Sequence, residues 1–225
     1  EDHSYDSTTG KCTICGKRCG HTDVDSKTGV CSTCKYQLTA GISGVGTAKY
    51  FDNIDNAFTA ALSAENNGCT LTLYKDCELS QNIVIGNATL TVDVNGHSIS
   101  PEIRGIDVND GGVLYLKNSG ENGSIGLEMA VNKGGTLING TADDSSSAVS
   151  LFAVTADAAE CVEFYGGSCT YLTIKNGTSG IALYGGYYDI ICGPLTDNTP
   201  VNDLLAKGYA FATLNSVTHQ LQDRK

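Results

Sequence analysis

Thr70-Leu71-Thr72-Leu73 and Leu90-Thr91-Val92-Asp93-Val94-Asn95-Gly96 decide how this chain folds. In both stretches apolar and polar side chains alternate, the period-2 pattern of a strand with one buried face, and the second closes on an Asn-Gly turn dipeptide. Outward from this pair the pattern recurs in short bursts. Ile83 and Ile85 fall between the two, then Val113–Leu116, Leu127–Val131, Thr136–Ile138, Val149–Val154, Cys161–Tyr165, Tyr171–Ile174 and Ile181–Tyr184 follow. Turn pairs such as Asn118-Ser-Gly120, Asn122-Gly123, Asn139-Gly140 and Asn176-Gly177 separate them.

Dense short strands without helices between them suit a sandwich, a barrel or a parallel β-helix. Three features favour the β-helix. Gly-Gly pairs recur at 111, 134, 166 and 185, close to one coil apart each time. The apolar residues are mostly small or β-branched, as a narrow stacked core requires. One amphipathic helix precedes the first strand, with Ile54, Ala57, Phe58, Ala61 and Leu62 on one stripe, Asp52 or Asn53 as N-cap and Asn66-Asn67-Gly68 as stop. Such a helix covers the unpaired backbone at an open coil end. Roughly 160 residues at ~20–25 per rung predict about seven rungs and a rod of about 30–35 Å. Thr199-Pro200 through Lys207-Gly208 reads as a second short helix over the far end.

The chain has 225 residues, 14 basic against 25 acidic, and a net charge of −11, which argues against a nucleic-acid groove. No apolar run approaches the ~20 residues of a membrane span, so no membrane insertion is expected. It opens on Glu1 with no signal segment and reads as a piece of something longer.

Five of the 10 Cys stand in the first 34 residues, with His3 and His21. Two stretches repeat there. Asp6-Ser7 recurs as Asp25-Ser26, Thr9-Gly10 as Thr28-Gly29, and each unit ends in CxxC, Cys12/Cys15 and Cys31/Cys34. A CxxC turn supplies two thiolates to a tetrahedral metal, so Cys19, His21, Cys31 and Cys34 form a complete Cys₃His zinc set. The first unit offers His3, Cys12 and Cys15, and its fourth position falls at Glu1, as though the chain begins just inside that site. One or two structural zinc ions are expected. Pairing Cys12, Cys15, Cys31 and Cys34 on one ion is the alternative partition, and cross-unit disulfides are the non-metal one. Residues 1–40 have few large apolar side chains, so the metal should supply their folding energy, on the order of 10 kcal/mol per closed site.

The other five Cys (Cys69, Cys77, Cys161, Cys169, Cys192) read as inward-facing filler of the coil. Catalytic constellations are thin. Arg104 near Glu102, Asp107 and Asp110, and the neighbours Asp143-Asp144, read as exposed loop charges, and His97 as a packed turn residue. There is no Trp for sugar stacking, but Tyr165, Tyr171, Tyr184, Tyr187 and Tyr188 cluster late among 11 Tyr. Of these, Tyr165, Tyr184, Tyr187 and Tyr188 are the candidate ligand-binding residues on an outer face.

Thr72-Leu73-Tyr-Lys-Asp76-Cys-Glu-Leu79 with Leu90-Thr-Val-Asp93-Val-Asn95-Gly96-His97-Ser-Ile99 resembles the "tLlkDvel … ltlDlNGhtI" signature of right-handed parallel β-helix, pectate-lyase-like modules in large surface proteins of Gram-positive gut bacteria. The TGxCxxC units and Leu204–Phe211 (LLAKGYAF) are also similar to that family's. The resemblance implies a mainly β fold: a short single-stranded right-handed parallel β-helix with an N-terminal capping helix, preceded by a zinc-stapled tandem. The expected layout is zinc units over 1–38, a linker or edge strand over 39–49, the capped β-helix over 50–218 and a tail over 219–225. The expected function is non-catalytic: an adhesive or spacer module, extracellular or on the cell surface, probing glycans or host and cell-surface proteins, and a monomer. The alternative is a carbohydrate-binding accessory domain or fragment of a glycan-active lyase or glycosidase.

Overall fold

The computed structural model describes residues 3–100, 105–175, 178, 180–192, 204–207, 209–213 and 219–223. The alternating stretches form a parallel β-solenoid of about five turns. Its first stack holds Thr70–Leu73, Thr89–Asp93, Val113–Lys117, Thr136–Asn139, Cys161–Phe164 and Ile181–Leu183, each parallel to the next. Register carries one inward column straight through these strands: Leu71, Val92, Leu116, Asn139, Phe164 and Leu183. All six are buried. The period-2 pattern therefore lays like side chains on like, turn upon turn.

Two further stacks complete each turn. Cys77–Glu78 and Ser98–Ser100 start the second, and Ile83–Ile85 and Gly105–Val108 start the third. From Ser124–Val131 onward one long strand serves both stacks, pairing with Ser98–Ser100 through Ser124 and with Gly105–Val108 through Glu128. A register shift between Ile125 and Glu128 re-aims the chain there, the usual work of a bulge. The second stack's inward column is Cys77, Ile99, Ile125, Leu151, Cys169 and Tyr188. Tyr188 is thus buried in the core, where its hydroxyl donates to the Gly185 carbonyl at 2.8 Å; it does not belong to an outer tyrosine face.

At the N-terminal end, Ala40–Ser43 pairs antiparallel with both Thr70–Leu73 and Lys49–Phe51, so of the segment read as linker or edge strand, residues 40–43 are strand and residues 44–48 connect them to the next. The helix, Ile54–Ala61, lays Ile54, Ala57, Phe58 and Ala61 into the core. Asn53 is the N-cap and accepts the Asn56 amide at 3.0 Å. Buried Asp55 accepts the Ser80 amide at 3.1 Å and its hydroxyl at 2.7 Å, tying the helix to the first coil.

The turn count falls short of seven for a physical reason. Residues 49–68 are spent on the antiparallel pair and the helix, and beyond Cys192 the described strands leave the coil's direction. Five turns at ~4.8 Å give about 24 Å of stacked coil. At the far end Tyr209–Thr213 and His219–Asp223 form an antiparallel hairpin that adds to Tyr187–Cys192, so strand stands where a tail was expected. The expected second helix lies partly outside the described residues. Of its described part, Leu204 has 3-10 helical geometry and Leu205 bridges Leu183 in parallel. Among the five coil Cys, Cys69 and Cys169 are buried and Cys77 packs against the core, whereas Cys161 is half-covered and Cys192 exposed. Val162 and Phe164 take the inward places of Cys161–Phe164, which leaves Cys161 on the outer face.

Candidate metal centre

Each N-terminal unit is a tight hairpin, and the two are built alike. The Asp6 carboxylate accepts the amides of Thr8 and Thr9 at 2.7 and 2.9 Å, and Asp25 those of Lys27 and Thr28 at 2.8 and 3.0 Å. Those amides hold both carboxyls below the usual carboxylate range. Gly10 and Gly29 close the turns onto Asp6 and Asp25 with φ of +64° and +67°. Tyr5 then bridges Cys12 as Val24 bridges Cys31, and Lys11 bridges Arg18 as Val30 bridges Gln37. The sequence repeat is a structural repeat.

The CxxC knuckles bring the sulfurs round. The Gly16 amide bonds the Cys12 carbonyl at 2.9 Å and the Lys35 amide the Cys31 carbonyl at 2.8 Å. The amides of Cys15 and Ile14, with the His3 ring, pull the Cys12 thiol down to about 6; the Cys15 amide acts most strongly. At Cys31, burial is the largest influence and opposes ionisation. The Cys34 amide, the His21 ring and the Thr33 amide outweigh it and hold that thiol at about 6. Burial pushes Cys34 up to about 11, and the sulfurs of Cys31 and Cys19 add to it. A bound metal ion would resolve this conflict, because one cation stabilises several neighbouring thiolates together.

The ligand atoms converge in two groups. Those of Cys19, His21, Cys31 and Cys34 lie within 4.8 Å of one another, with the three Cys buried and His21 half-covered. Those of His3, Cys12 and Cys15 form the second group, with only Cys12 buried. In the first set Cys19 Sγ stands 3.7 Å from Cys31 Sγ, and Cys34 Sγ 3.5 Å from His21 Nδ1. In the second, His3 Nδ1 stands 3.2 Å from Cys12 Sγ and 3.6 Å from Cys15 Sγ. All ten Cys are free thiols. The grouping separates the two CxxC pairs rather than placing all four on one centre, and both groups are compatible with a bound metal ion. Glu1, the expected fourth partner of the smaller group, lies outside the described residues.

Backbone bonding reveals an ownership that the spacing hides. The Cys19 amide bonds the Gly10 carbonyl and the Leu38 amide bonds the Gly29 carbonyl, each at 2.9 Å. Cys19 therefore occupies in the first unit the place that Leu38 occupies in the second. The four-residue group draws Cys19 from the first hairpin and His21, Cys31 and Cys34 from the second, so it joins the units. Tyr5, Val24 and Tyr36 pack around its sulfurs. Leu38, buried, ends the series where another ligand would continue it.

The second unit is seated on the solenoid. Gln37 Nε2 donates to the Tyr74 carbonyl at 2.8 Å, and the Tyr74 amide to the Thr39 carbonyl at 2.9 Å. Lys75 donates to the Gln37 carbonyl at 3.3 Å and sits over the Tyr36 ring. From the first unit, Arg18 also reaches the body of the chain, pairing with Asp52. Gly29 lies flat on the Tyr74 ring, and burial pushes the Tyr74 hydroxyl up to about 12.

The other candidates scatter. Tyr165, Tyr184 and Tyr187 line one cleft, away from the buried Tyr188. Asp144 caps its own turn by accepting the Ser146 amide. Asp107 is in the third stack, and Arg104 and Glu102 lie outside the described residues. His97 Nδ1 stands 3.6 Å from Asp76, which accepts the Ser98 amide. The spacing also hides two buried polar pins. Asp93 accepts the amides of Asn95 and Ser119, and Asn139 exchanges two 2.9 Å bonds with the backbone of Val149. The one clue to Asn139 was a polar residue at an inward position of Thr136–Asn139, and the turn reading of Asn-Gly absorbed it. No family profile matches the chain, and none of the curated proteins or solved structures compared with it matches either.

Proposed function

We propose that this chain is a non-catalytic, zinc-stapled module of a secreted or cell-surface bacterial protein, serving as a spacer or adhesive element. The geometry of Cys19, His21, Cys31 and Cys34 carries this reading. A tetrahedral Zn²⁺ with Zn–S near 2.3 Å and Zn–N near 2.0–2.1 Å sets its sulfurs about 3.8 Å apart and sulfur and nitrogen about 3.6 Å apart. The separations of 3.7 and 3.5 Å fit that ion. Three thiolates and an imidazole are also the soft and borderline donors zinc prefers. With four protein ligands the centre has no open position, which is the arrangement of a structural site.

The zinc would do mechanical work. Among the described residues only Tyr5, Val24 and Tyr36 pack around the four-ligand group, too little apolar surface to order two hairpins. Zinc there cross-links the first hairpin to the second, and the second is seated on Tyr74 at the solenoid's end. His3, Cys12 and Cys15 would hold a second ion. A stacked solenoid whose turns touch only their neighbours transmits force along its axis, as a spacer must. Protein purified without chelator should carry at least one zinc per chain by elemental analysis, and less than one would end the zinc reading. Antibody labelling of intact, unpermeabilised cells tests the surface placement; labelling only after lysis would end it.

A further inference from the structure

The corner between the first and second strand stacks changes character late in the chain. Phe164-Tyr165-Gly166-Gly167-Ser168 and Leu183-Tyr184-Gly185-Gly186-Tyr187 are successive copies of one corner. Their tyrosines stack with centroids 4.5 Å apart and planes within 4°. In the preceding turn the same corner is much longer, running from Asn139 to Ser150. Its residues 141–148 stand beside the tyrosines as a wall, and together they enclose a solvent-open cleft of about 440 Å³.

The cleft is built to hold its shape. Asn139 bonds both backbone groups of Val149 and so pins the two ends of the wall. Asp144 accepts the Ser146 amide, and the Ser147 hydroxyl donates to the Asp144 carbonyl at 2.7 Å. The Tyr165 hydroxyl donates to Glu163 at 2.9 Å, which fixes that ring's direction. Glycine is required beneath the wall. A Cβ on Gly166 would come within 2.3 Å of the Ser145 carbonyl oxygen, and one on Gly167 within 2.4 Å of that of Val149.

We propose that this cleft binds a neutral saccharide, a segment of a short oligosaccharide chain. This deepens the surface-module reading and rests on it for biological sense, although the cleft's chemistry is argued separately. Its volume lies within the ~300–1,000 Å³ of small-molecule sites. Sugar rings present C–H faces that pack on aromatic rings and hydroxyls that need donors and acceptors. Tyr165, Tyr184 and Tyr187 supply the rings, while Ser145, Ser146 and the bare backbone of the Gly-Gly pairs supply hydrogen-bonding groups. Among the described residues no charged side chain lines it, and a chain of net charge −11 disfavours phosphorylated, sulfated or uronic ligands. The open side suits a chain that passes through.

The test is calorimetric titration of the full chain with di- to tetrasaccharides of glucose, mannose, galactose, xylose and N-acetylglucosamine, and with galacturonate oligomers. At least one neutral series should bind and the galacturonates should not. Tyr165→Ala should weaken binding about tenfold through loss of an aromatic platform. Because Tyr165 is partly covered, Ala142→Trp, which fills the cleft from its exposed rim, is the second variant and should abolish binding. Tyr171→Ala, an exposed ring outside the cleft, should leave it unchanged. No binding by any neutral oligosaccharide, equal binding by Ala142→Trp, or tighter binding of galacturonates would overturn the proposal. Zinc content measured on the same samples separates the two readings, since sugar binding without zinc would sink only the metal one.

Discussion

The internal repeat supplies its own control for the seating of the second unit on the solenoid. Gly10 and Gly29 hold equivalent places, with φ of +64° and +67°. Replacing either by Ala forces a side chain into the left-handed region, at a cost of about 1–2 kcal/mol. Their surroundings differ. A Cβ on Gly10 would meet His21 Cε1 at 3.2 Å and the Tyr36 ring at 3.3 Å, contacts relieved by a few tenths of an ångström. A Cβ on Gly29 would lie 2.3 Å from Tyr74 Cγ and 2.6 Å from Tyr74 Cβ. Turning the ring cannot clear an overlap that includes its root, so the unit must lift or the strand must shift. That overpacking adds about 1–3 kcal/mol, giving about 2–5 kcal/mol in all. Native-state hydrogen exchange at the Tyr74 amide, which bonds the Thr39 carbonyl, reports the seating directly. Gly29→Ala should lower its opening free energy by about 2–5 kcal/mol, a factor of roughly 30 to several thousand in protection. Gly10→Ala should perturb it far less, because its new contacts are to His21 and Tyr36 and not to Tyr74. Equal effects at Tyr74, or none from Gly29→Ala, would refute the account of the junction.

Three further outcomes rest on the same contacts. Chelation should bring the amides of Gly16 and Lys35 to near-unprotected exchange while strands such as Thr89–Asp93 stay protected, as hydrogen-exchange mass spectrometry would show; persistent protection in metal-free protein would mean the hairpins do not depend on the metal. Asn139→Ala removes both partners of the buried Val149 backbone and should destabilise the chain by about 2–5 kcal/mol in denaturant unfolding, whereas a change under about 1 kcal/mol would mean the wall is not pinned there. Tyr74 titrates at about 12 instead of its ordinary value near 10, so its folded form holds the proton more tightly. The stability this contributes is complete below pH 10 and lost as pH rises toward 12. An ultraviolet titration differenced against Tyr74→Phe should place its midpoint near 12, and a midpoint near 10 would show an uncovered hydroxyl.

Much of the coil was legible because its core obeys a local rule. Alternation at Leu71, Leu73, Leu90 and Val92 names the inward face whichever strand lies above, and the helix stripe from Ile54 to Ala61 is equally local. Tyr188 was not legible, since an exposed Tyr187 and a buried Tyr188 differ only in pleat parity. Parity also misplaced Cys161, because Val162 and Phe164 claim the inward places of their strand. The turn count failed because it divided residues by coil length, and residue number does not say which segments stack. The wall over residues 141–148 left only a longer gap between two bursts, which any loop would leave.

Spacing named the Cys and His side chains that converge, yet it hides which hairpin owns which candidate ligand. Cys19 sits two residues before His21 and reads as a member of the second unit, but its amide bonds Gly10 and its backbone belongs to the first. Ligand ownership decides what the metal does. A site whose four ligands come from one hairpin stabilises that hairpin alone, and its loss leaves the neighbours intact. A site that borrows a ligand from the preceding hairpin makes each unit's order depend on its neighbour's, so the tandem behaves as a stiff series and not as beads on a string. Leu38 shows where that logic ends: at the position equivalent to Cys19 the chain presents a buried apolar residue beside Thr39, whose carbonyl takes the Tyr74 amide. The same structural position is thus filled by a metal ligand when another hairpin comes next and by an apolar side chain when the solenoid does. That alternation, more than the CxxC count, argues that the Cys/His hairpins are built to transmit order from one to the next and into the coil.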